Sequence, residues 1–145
     1  MSDCVFCGIV DGNKEARKLY EDEHVLAILA DKPCALGHVQ VILKKHTGLL
    51  KDVPNDIVSN LFWVASFAAS AVFEYFGVQG TNIILHDALQ GHEHPVLEVV
   101  PRKFDDGLDF QWVPKEYSEE ENAVAFEKLK DKAFFIGKVK EEKKK

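Results

Sequence analysis

The stretch that decides the fold reads Gln90-Gly91-His92-Glu93-His94-Pro95-Val96-Leu97-Glu98-Val99-Val100-Pro101-Arg102. Successive side chains of a β-strand point to opposite faces of its sheet, so from His94 to Val100 every second residue shares one face. That face carries polar groups suited to chemistry, whereas Leu97 and Val99 give the other face the character of a core. Histidine, glutamate and glutamine this close together are unusual in a strand that only packs. The alternative, from this stretch alone, is a solvated edge strand with a polar start.

Composition predicts a single domain with its own core, because the chain has 145 residues, of which 46% are hydrophobic and 29% charged. We expect this domain at residues 1–117, and at 118–145 a C-terminal helix and lysine-rich tail that pack on it or extend from it. The net charge of -6 argues against a nucleic-acid partner. No apolar run approaches the ~20 residues of a membrane span and no signal-peptide pattern is present, so we expect a cytoplasmic protein without a membrane partner.

Two of the three cysteines, Cys4 and Cys7, are separated by two residues. This spacing lets a tight turn direct both thiolates to one tetrahedral ion, and it fits a metal site in a reducing compartment better than a disulfide framework. One such pair is half of a site, so a redox pair and a chance occurrence stay open. Cys34 is interpreted by default as a small apolar side chain that fills space.

Five strands are predicted from β-branched runs bounded by turn residues. The first two, at 18–20 and 24–29, form a hairpin, the third spans 38–43, the fourth 82–86, and the fifth is the opening stretch. His46 follows the third strand closely, where its imidazole can reach a neighbouring element. Strands interrupted and followed by helices, with short connections, indicate an α+β fold with an antiparallel sheet.

A long helix is predicted from Asp56 to Phe76, since apolar residues recur there at helical spacing and Gly77 ends the run. The helix carries an aromatic series that a ligand site would also use, but which we interpret as core: Trp63, Phe67, Phe73 and Phe76. Its nearly continuous hydrophobicity indicates burial on more than one side, including against another subunit. A second helix should begin at Ser118, whose hydroxyl caps it with Glu121 at the third position, and end near Phe135.

Several separate segments carry a resemblance to one known family. They are Cys4–Val10, Tyr20–Ala27, Pro33 with Gly37–His46, Gln90 with His94, and Val100–Arg102. Over the span from Cys4 to Pro114 the chain resembles the histidine triad (HIT) superfamily of nucleotide-binding proteins. The resemblance implies an antiparallel sheet with flanking helices, usually in a homodimer, that holds the phosphate of a nucleotide over the triad strand.

The resemblance also implies a structural zinc ion. In zinc-containing relatives the ligands are the two N-terminal cysteines, a histidine ending a Lys-Lys-His segment and the first triad histidine, which correspond here to Cys4, Cys7, His46 and His94. Two thiolates and two imidazoles complete a tetrahedral shell without an open position. His92 is an alternative to His94 as the fourth ligand.

The triad itself departs from the family pattern of three alternating histidines before Pro-Arg, the middle one of which attacks the α-phosphate. Counting back from Pro101, these positions hold His94, Val96 and Glu98. We therefore predict no catalytic residue, because valine has no lone pair and occupies the position of the nucleophile. A shifted register that makes His92 and His94 triad members is the alternative, and it requires a two-residue insertion before Pro101.

Two segments, Asn82–His86 and Glu98–Arg102, carry a second resemblance. They resemble the C-terminal half of galactose-1-phosphate uridylyltransferase, in the same superfamily, whose strand reads His-x-His-x-Glu and also lacks the nucleophile. The middle position of the triad differs even from this relative. The family's ribose-binding aspartate falls on Ala30 in this sequence, with Asp31 adjacent.

Three functions are consistent with these residues. The first is a HIT-like protein that binds a nucleotide or another phosphate compound without covalent chemistry; its proposed contacts are Phe6, Ile9, Asp31, Gln90, His92 and Glu98. The second is an active phosphoramidase, hydrolase or transferase that uses His92 or His86, or Glu98 as a base toward water. The third is a non-catalytic dimeric interaction protein.

Overall fold

The computed structural model describes residues 4–87 and 94–133. The helices are α1 (Val5–Val10), α2 (Asn55–Phe76) and α3 (Glu119–Ala133), with a single 3-10 turn at Leu50–Asp52. The strands are β1 (Lys18–Glu21), β2 (Val25–Leu29), β3 (Val39–Leu43), β4 (Gly80–His86) and β5 (Val96–Arg102).

The five strands form one sheet in the order β1-β2-β3-β5-β4, and every neighbouring pair is antiparallel. The opening stretch thus becomes β5, which lies between β3 and β4. The predicted α+β fold with an antiparallel sheet is confirmed. One compact unit extends to Leu108 and a second begins at Asp109, and α3 belongs to the second unit. The division after residue 117 that we expect from the sequence stays a prediction.

One face of the sheet packs against α2 and forms the larger core. Leu97 and Val99 of β5 point to this face, as their alternation predicts, and Leu61, Val64 and Val72 of α2 pack on it. Each side chain of this size contributes about 1.5–3 kcal/mol when it is fully buried. This core holds β5 in place, so that the opposite face of the strand can carry other groups.

The interpretation of the aromatic residues of α2 as core is wrong within this chain. Trp63 is 59% and Phe67 65% exposed, and their rings contact each other with centroids 5.2 Å apart on the outside of the helix. Phe73 and Phe76 are exposed as well. A helix this apolar all round satisfies the spacing rule on several faces, and the smaller side chains occupy the buried one.

By length and composition, α2 is also long and apolar enough to cross a membrane, with 22 residues and a mean hydropathy of 1.5. The expectation that no apolar run approaches that length is therefore wrong. The finding is weak evidence for a membrane, because core helices of soluble proteins pass the same test and α2 packs on the sheet.

The other face of the sheet carries a smaller aliphatic cluster beneath α1. The cluster is formed by one residue of the helix and one or two from each of three strands: Ile9, Leu26, Ile28, Ile42 and Val96. Phe6 and Val10 of α1 pack against its edge. Val96 is therefore part of a hydrophobic cluster.

In the second unit, α3 begins as the sequence predicts. The Ser118 hydroxyl accepts a hydrogen bond from the Glu121 N–H at 3.1 Å, and the Glu121 carboxylate accepts one from the Ser118 N–H at 3.3 Å. This reciprocal arrangement satisfies two N–H groups at the start of the helix. The predicted helix end near Phe135 and the basic run at 138–145 lie outside the described residues.

Candidate metal centre and adjoining groove

Four potential metal ligands converge at one end of β5. Cys4 caps α1 and Cys7 lies within it, His46 follows β3, and His94 precedes β5. One donor atom from each lies within 4.8 Å of the others. The Cys7 Sγ is 3.1 Å from Nδ1 of His46, and the Cys4 Sγ is 3.6 Å from Nδ1 of His94. These are the four residues that the sequence assigns to the metal.

The imidazole of His94 is oriented for metal binding by a backbone carbonyl. It is only 2% exposed, and its Nε2 lies 2.6 Å from the Leu43 carbonyl oxygen. An Nε2–H that donates to this oxygen leaves the Nδ1 lone pair directed at Cys4 and Cys7, which is the tautomer a metal ligand needs. Burial lowers the pKa of His94, so the neutral form is favoured.

The Cys7 thiol needs a nearby cation to ionise near neutral pH. Burial, together with the hydrogen bond and the charge of the adjacent Cys4, raises the pKa of Cys7 to about 11. A bound divalent metal reverses this preference, since a coordinating thiol is deprotonated. Two thiolates and two imidazoles suit a four-coordinate structural ion, and the donor set therefore fits a metal.

A groove of about 1290 Å³ adjoins the cluster on the face of the sheet opposite α2. Of the proposed ligand contacts, Phe6, Ile9 and Asp31 line it. Four basic residues also line it: Lys14, Arg17, Lys18 and Lys32. Their excess over the acidic lining residues Glu15 and Asp31 contrasts with the net charge of -6 for the whole chain. Such local charge favours an anionic ligand.

Position 96, which the sequence analysis aligns with the family's nucleophile, holds a fully buried valine in the aliphatic cluster. The residue opposite Val96 on β4 is His86. Cross-strand partners share a sheet face, with Cβ atoms about 4.5–5.5 Å apart, so an imidazole lies beside this position. The sequence analysis names His86 as an alternative catalytic histidine, and the pairing of β4 with β5 places it opposite Val96.

Glu98 lies farther along the same face. Its carboxylate is bonded to His38, which directly precedes β3, and to Gln40 of β3. Its Oε2 makes a short contact with Nε2 of His38, and its Oε1 accepts a hydrogen bond from Nε2 of Gln40 at 2.9 Å. Burial alone would raise the pKa of Glu98, but these two hydrogen bonds outweigh it and lower the pKa. The sequence analysis did not identify His38, although alternation along β3 places it on the same face as Gln40.

Two of the proposed ligand contacts lie outside the described residues, and the arginine of β5 is bonded to other residues of the protein. Gln90 and His92 lie outside the described residues. Arg102 at the end of β5 donates from Nε to Asp106 at 2.8 Å and from a terminal nitrogen to Asn82 at 2.7 Å. Its charge is thus engaged by Asp106 instead of being directed to a ligand.

The fold and the cluster of potential metal ligands agree with one protein family. A family model described as the HIT domain matches residues 11–94. The chain belongs to the HIT domain family. The match includes His94 and ends before Val96 and Glu98.

Three relatives show how close the similarity is. An uncharacterised HIT-like protein of Methanocaldococcus jannaschii is 36% identical over 72% of this chain and 82% of its own length. Adenylylsulfatase HINT3 of Arabidopsis thaliana is 30% identical over 74% of this chain, which spans only 56% of that protein. The crystal structure of a zinc-bound histidine triad family protein from Mycobacterium smegmatis is 36% identical, with a TM-score of 0.67 over 90% of this chain and 97% of that one.

Proposed function

We propose that this chain is a zinc-stabilised HIT protein that binds a nucleotide or a related phosphate compound and has lost the nucleotidyl-histidine chemistry. The observation that carries the proposal is the buried valine at position 96, between a complete set of metal ligands and a paired carboxylate.

Zinc is the proposed metal because of the donor set. Cys4, Cys7, His46 and His94 offer two sulfur and two nitrogen ligands, which is a common structural zinc composition. The zinc-bound relative from Mycobacterium smegmatis supports the same ion. When bound, zinc supplies a structural cross-link between α1, the end of β3 and the start of β5. In a metal assay of the purified protein we expect stoichiometric zinc.

The groove is the proposed ligand site. Phe6 and Ile9 offer apolar contacts for a base, and the basic lining residues offer charge for a phosphate. Asp31, Gln90 and His92 are proposed as further contacts. Glu98 is proposed to act at the edge of the site, where its carboxylate disfavours a phosphate directly above β5. The name of the Arabidopsis relative, an adenylylsulfatase, supports an adenylyl compound as the first ligand to test.

The proposed loss of catalysis rests on Val96. A valine side chain cannot form the covalent nucleotidyl-imidazole that the family mechanism requires. The sequence resemblance to the C-terminal half of galactose-1-phosphate uridylyltransferase, which also lacks that nucleophile, supports the same proposal.

Two measurements on the zinc-bound protein test this function. Titration with adenosine monophosphate should raise the melting temperature, because a ligand that binds only the native state stabilises it. Incubation with adenosine phosphoramidate should release no product above the uncatalysed rate. A rise in melting temperature without turnover supports the proposal; turnover contradicts the loss of chemistry, and no shift with any nucleotide contradicts ligand binding.

A second candidate function is an active hydrolase or transferase, favoured by the position of His86 opposite Val96. If turnover of the phosphoramidate is found, His86→Gln should abolish it, with His24→Gln as the matched control on an exposed histidine. Turnover that survives His86→Gln would exclude this route and direct attention to His92.

A homodimer is the proposed assembly, and an interaction protein the third candidate function. Trp63 and Phe67 are exposed large aromatic side chains on α2, and such patches mark protein contacts. Trp63→Glu should shift sedimentation from dimer to monomer. Glu116→Lys, a charge change on an exposed residue of the second unit, serves as a control.

A cytoplasmic location is proposed because paired metal-binding thiols persist in a reducing compartment.

A further inference from the structure

Three side chains that lie outside the metal cluster form a continuous line. The Cys34 Sγ is 3.5 Å from Nδ1 of His38, and Nε2 of the same imidazole contacts the Glu98 carboxylate. His38 is 7% exposed and Glu98 is largely buried, whereas Cys34 is exposed. The line therefore runs from a buried carboxylate, through a buried imidazole, to a thiol that solvent can reach.

The hydrogen bonds around His38 define which nitrogen carries its proton. The Cys34 backbone N–H donates to Nδ1 at 3.2 Å, so in the neutral imidazole Nδ1 is the acceptor and Nε2–H donates to Glu98. The unprotonated nitrogen is thus the one that faces the thiol. The Cys34 thiol can donate to Nδ1 only when the Cys34 backbone N–H no longer donates to that atom.

The loop that holds these groups is fixed by its surroundings. The His38 carbonyl accepts from the Ala30 N–H at 2.9 Å, and the His38 N–H donates to Ala35 at 3.2 Å. Gly37 has a φ of +92°, and a Cβ added there would meet the ring of Phe76 at 3.2 Å. Only glycine satisfies both conditions, so the turn that brings Cys34 back onto His38 is specified by the sequence.

We propose that Cys34, His38 and Glu98 form a second reactive site, in which Cys34 is a nucleophile, His38 its general base and Glu98 the residue that positions the imidazole. The arrangement follows the same logic as other nucleophile–base–carboxylate sites, in which geometry and roles define the site and sequence position does not. Gln40 completes it by donating to the second carboxylate oxygen.

The charges near Cys34 make a base necessary. Burial raises the pKa of the Cys34 thiol, and the charges of Glu98 and Asp106 raise it further, while Arg102 and the hydrogen bond to its backbone N–H act in the opposite direction. His86 is the other titratable group near Glu98. Near neutral pH the thiol is therefore protonated, and it becomes a strong nucleophile only as His38 removes the proton.

The substrate class is an activated acyl compound, such as an acyl phosphate, acyl adenylate or thioester. Sulfur forms an S–C bond with the carbonyl carbon, and the bond from that carbon to the leaving oxygen or sulfur breaks with its electron pair. The thiol proton passes to His38 Nδ1 and then to the leaving group. Water later hydrolyses the thioester, which releases the carboxylic acid and restores the thiol.

The site adjoins the groove without depending on it. Gln40 lines the groove and bonds to Glu98, and Asp31 and Lys32, which also line it, precede Cys34 by three and two residues. The proposed reactive site therefore lies next to the groove and shares Gln40 with it. The test of this site does not depend on nucleotide binding, because it uses a small acyl ester.

The test measures acetyl transfer from p-nitrophenyl acetate to the zinc-bound, full-length protein, with peptide mass spectrometry to locate the acetyl group. We expect a burst of p-nitrophenolate and acetyl-Cys34. Near neutral pH the folded chain should acetylate Cys34 at least about tenfold faster than the urea-denatured chain does. An equal or slower rate in the folded chain, or no acetyl group on Cys34, would overturn the proposal.

Variants separate a base from a structural residue. His38→Gln should slow acetylation near neutral pH by about tenfold or more, and the rate should recover at alkaline pH, where the thiol ionises without help. Glu98→Gln should slow it by a smaller factor, and His24→Gln should leave it unchanged. If His38→Gln fails to fold, the comparison of folded and denatured wild-type chains decides alone. A folded His38→Gln protein that reacts like the wild type at every pH contradicts the role of His38.

Discussion

The two ends of β5 use the same face of one strand in opposite ways. At its start, His94 has its Nδ1 directed toward two thiols and a second imidazole, and its Nε2 held by a backbone carbonyl. Farther along, Val96 packs among aliphatic side chains, and Glu98 has both oxygens hydrogen-bonded within the protein. One end presents unsaturated donor atoms to an ion, and the other presents groups that already have partners.

Under the proposed function, this difference makes the metal site and the phosphate chemistry of the strand separable. In the proposed zinc site, exchanging one ligand would weaken metal binding by the other three, so the four positions depend on one binding free energy. At position 96, by contrast, the valine side chain makes apolar contacts in the cluster beneath α1. Under the proposed function, metal binding constrains the first end of the strand, whereas aliphatic packing at position 96 favours an apolar side chain.

The largest expected effect is at the metal end. Cys4→Ser should remove zinc and destabilise the fold by at least about 4 kcal/mol, which lowers the melting temperature by roughly 15 °C for a domain of this size. Zinc content and thermal unfolding of the same preparation measure both changes.

Cys34→Ser is the matched control, because it makes the same substitution at an exposed cysteine outside the cluster. It should keep zinc and unfold like the wild type. A Cys4→Ser protein that retains stoichiometric zinc would contradict the assignment of the ligands. The start of β5 would then no longer differ from its second half by a metal site.

The sequence predicts more of the first end than of the second, for a physical reason. Cys4 and Cys7 are local in sequence, and the family resemblance links them to His46 and His94 without any knowledge of strand pairing. The contact of Glu98 with His38 depends on β3 pairing with β5 in one register, in which Gln40 lies opposite Glu98. A shift of one residue would reverse every side chain, and alternation alone does not choose the partner strand.

The same limit applies to α2. Spacing and the terminal Gly77 predict its existence and its bounds within one residue, since Asn55–Phe76 is observed and Asp56–Phe76 is predicted. Periodicity did not identify its buried face, because apolar residues occur on all sides of the helix. The sheet selects the small and branched side chains of Val64, Ala65 and Ala69, which allow close approach.

The second effect concerns the nucleophile position. Val96→His should destabilise the protein by about 3 kcal/mol, because a larger, polar ring enters a fully buried aliphatic cluster. The variant should partly recover nucleotidyl transfer to histidine, detected with radiolabelled adenosine phosphoramidate as a covalent adduct. Val96→Leu controls for the added volume and should form no adduct.

A Val96→His protein that folds, binds adenosine monophosphate and still forms no adduct would show that residue 96 is not the sole change. The carboxylate of Glu98 would then be the next candidate for the loss, since negative charge beside a phosphate opposes its approach.

The smallest expected effect is on the pH dependence of the free energy of unfolding, which compares Glu98 with a carboxylate outside β5. The pKa of Glu98 is lowered in the folded protein, so its ionised form stabilises the fold above the unfolded value, and that contribution is lost as pH falls through the folded pKa. Glu98→Gln should cost about 1–2 kcal/mol near neutral pH, because its amide then faces the donor of Gln40, and the difference from wild type should shrink in acid. Urea unfolding at several pH values measures this.

Asp22→Asn is the matched variant, since Asp22 also has a lowered pKa, of about 2, where hydrogen bonds from Asn60 and Tyr20 outweigh the effect of burial. Its carboxylate lies at the β1–β2 turn, where screening by water limits the contribution to below about 1 kcal/mol. The Asp22→Asn difference should persist to lower pH than the ordinary range of aspartate and vanish near the folded pKa. If Glu98→Gln costs no more than Asp22→Asn, the pairing with His38 does not stabilise the fold, and the second half of β5 is less constrained than its contacts indicate.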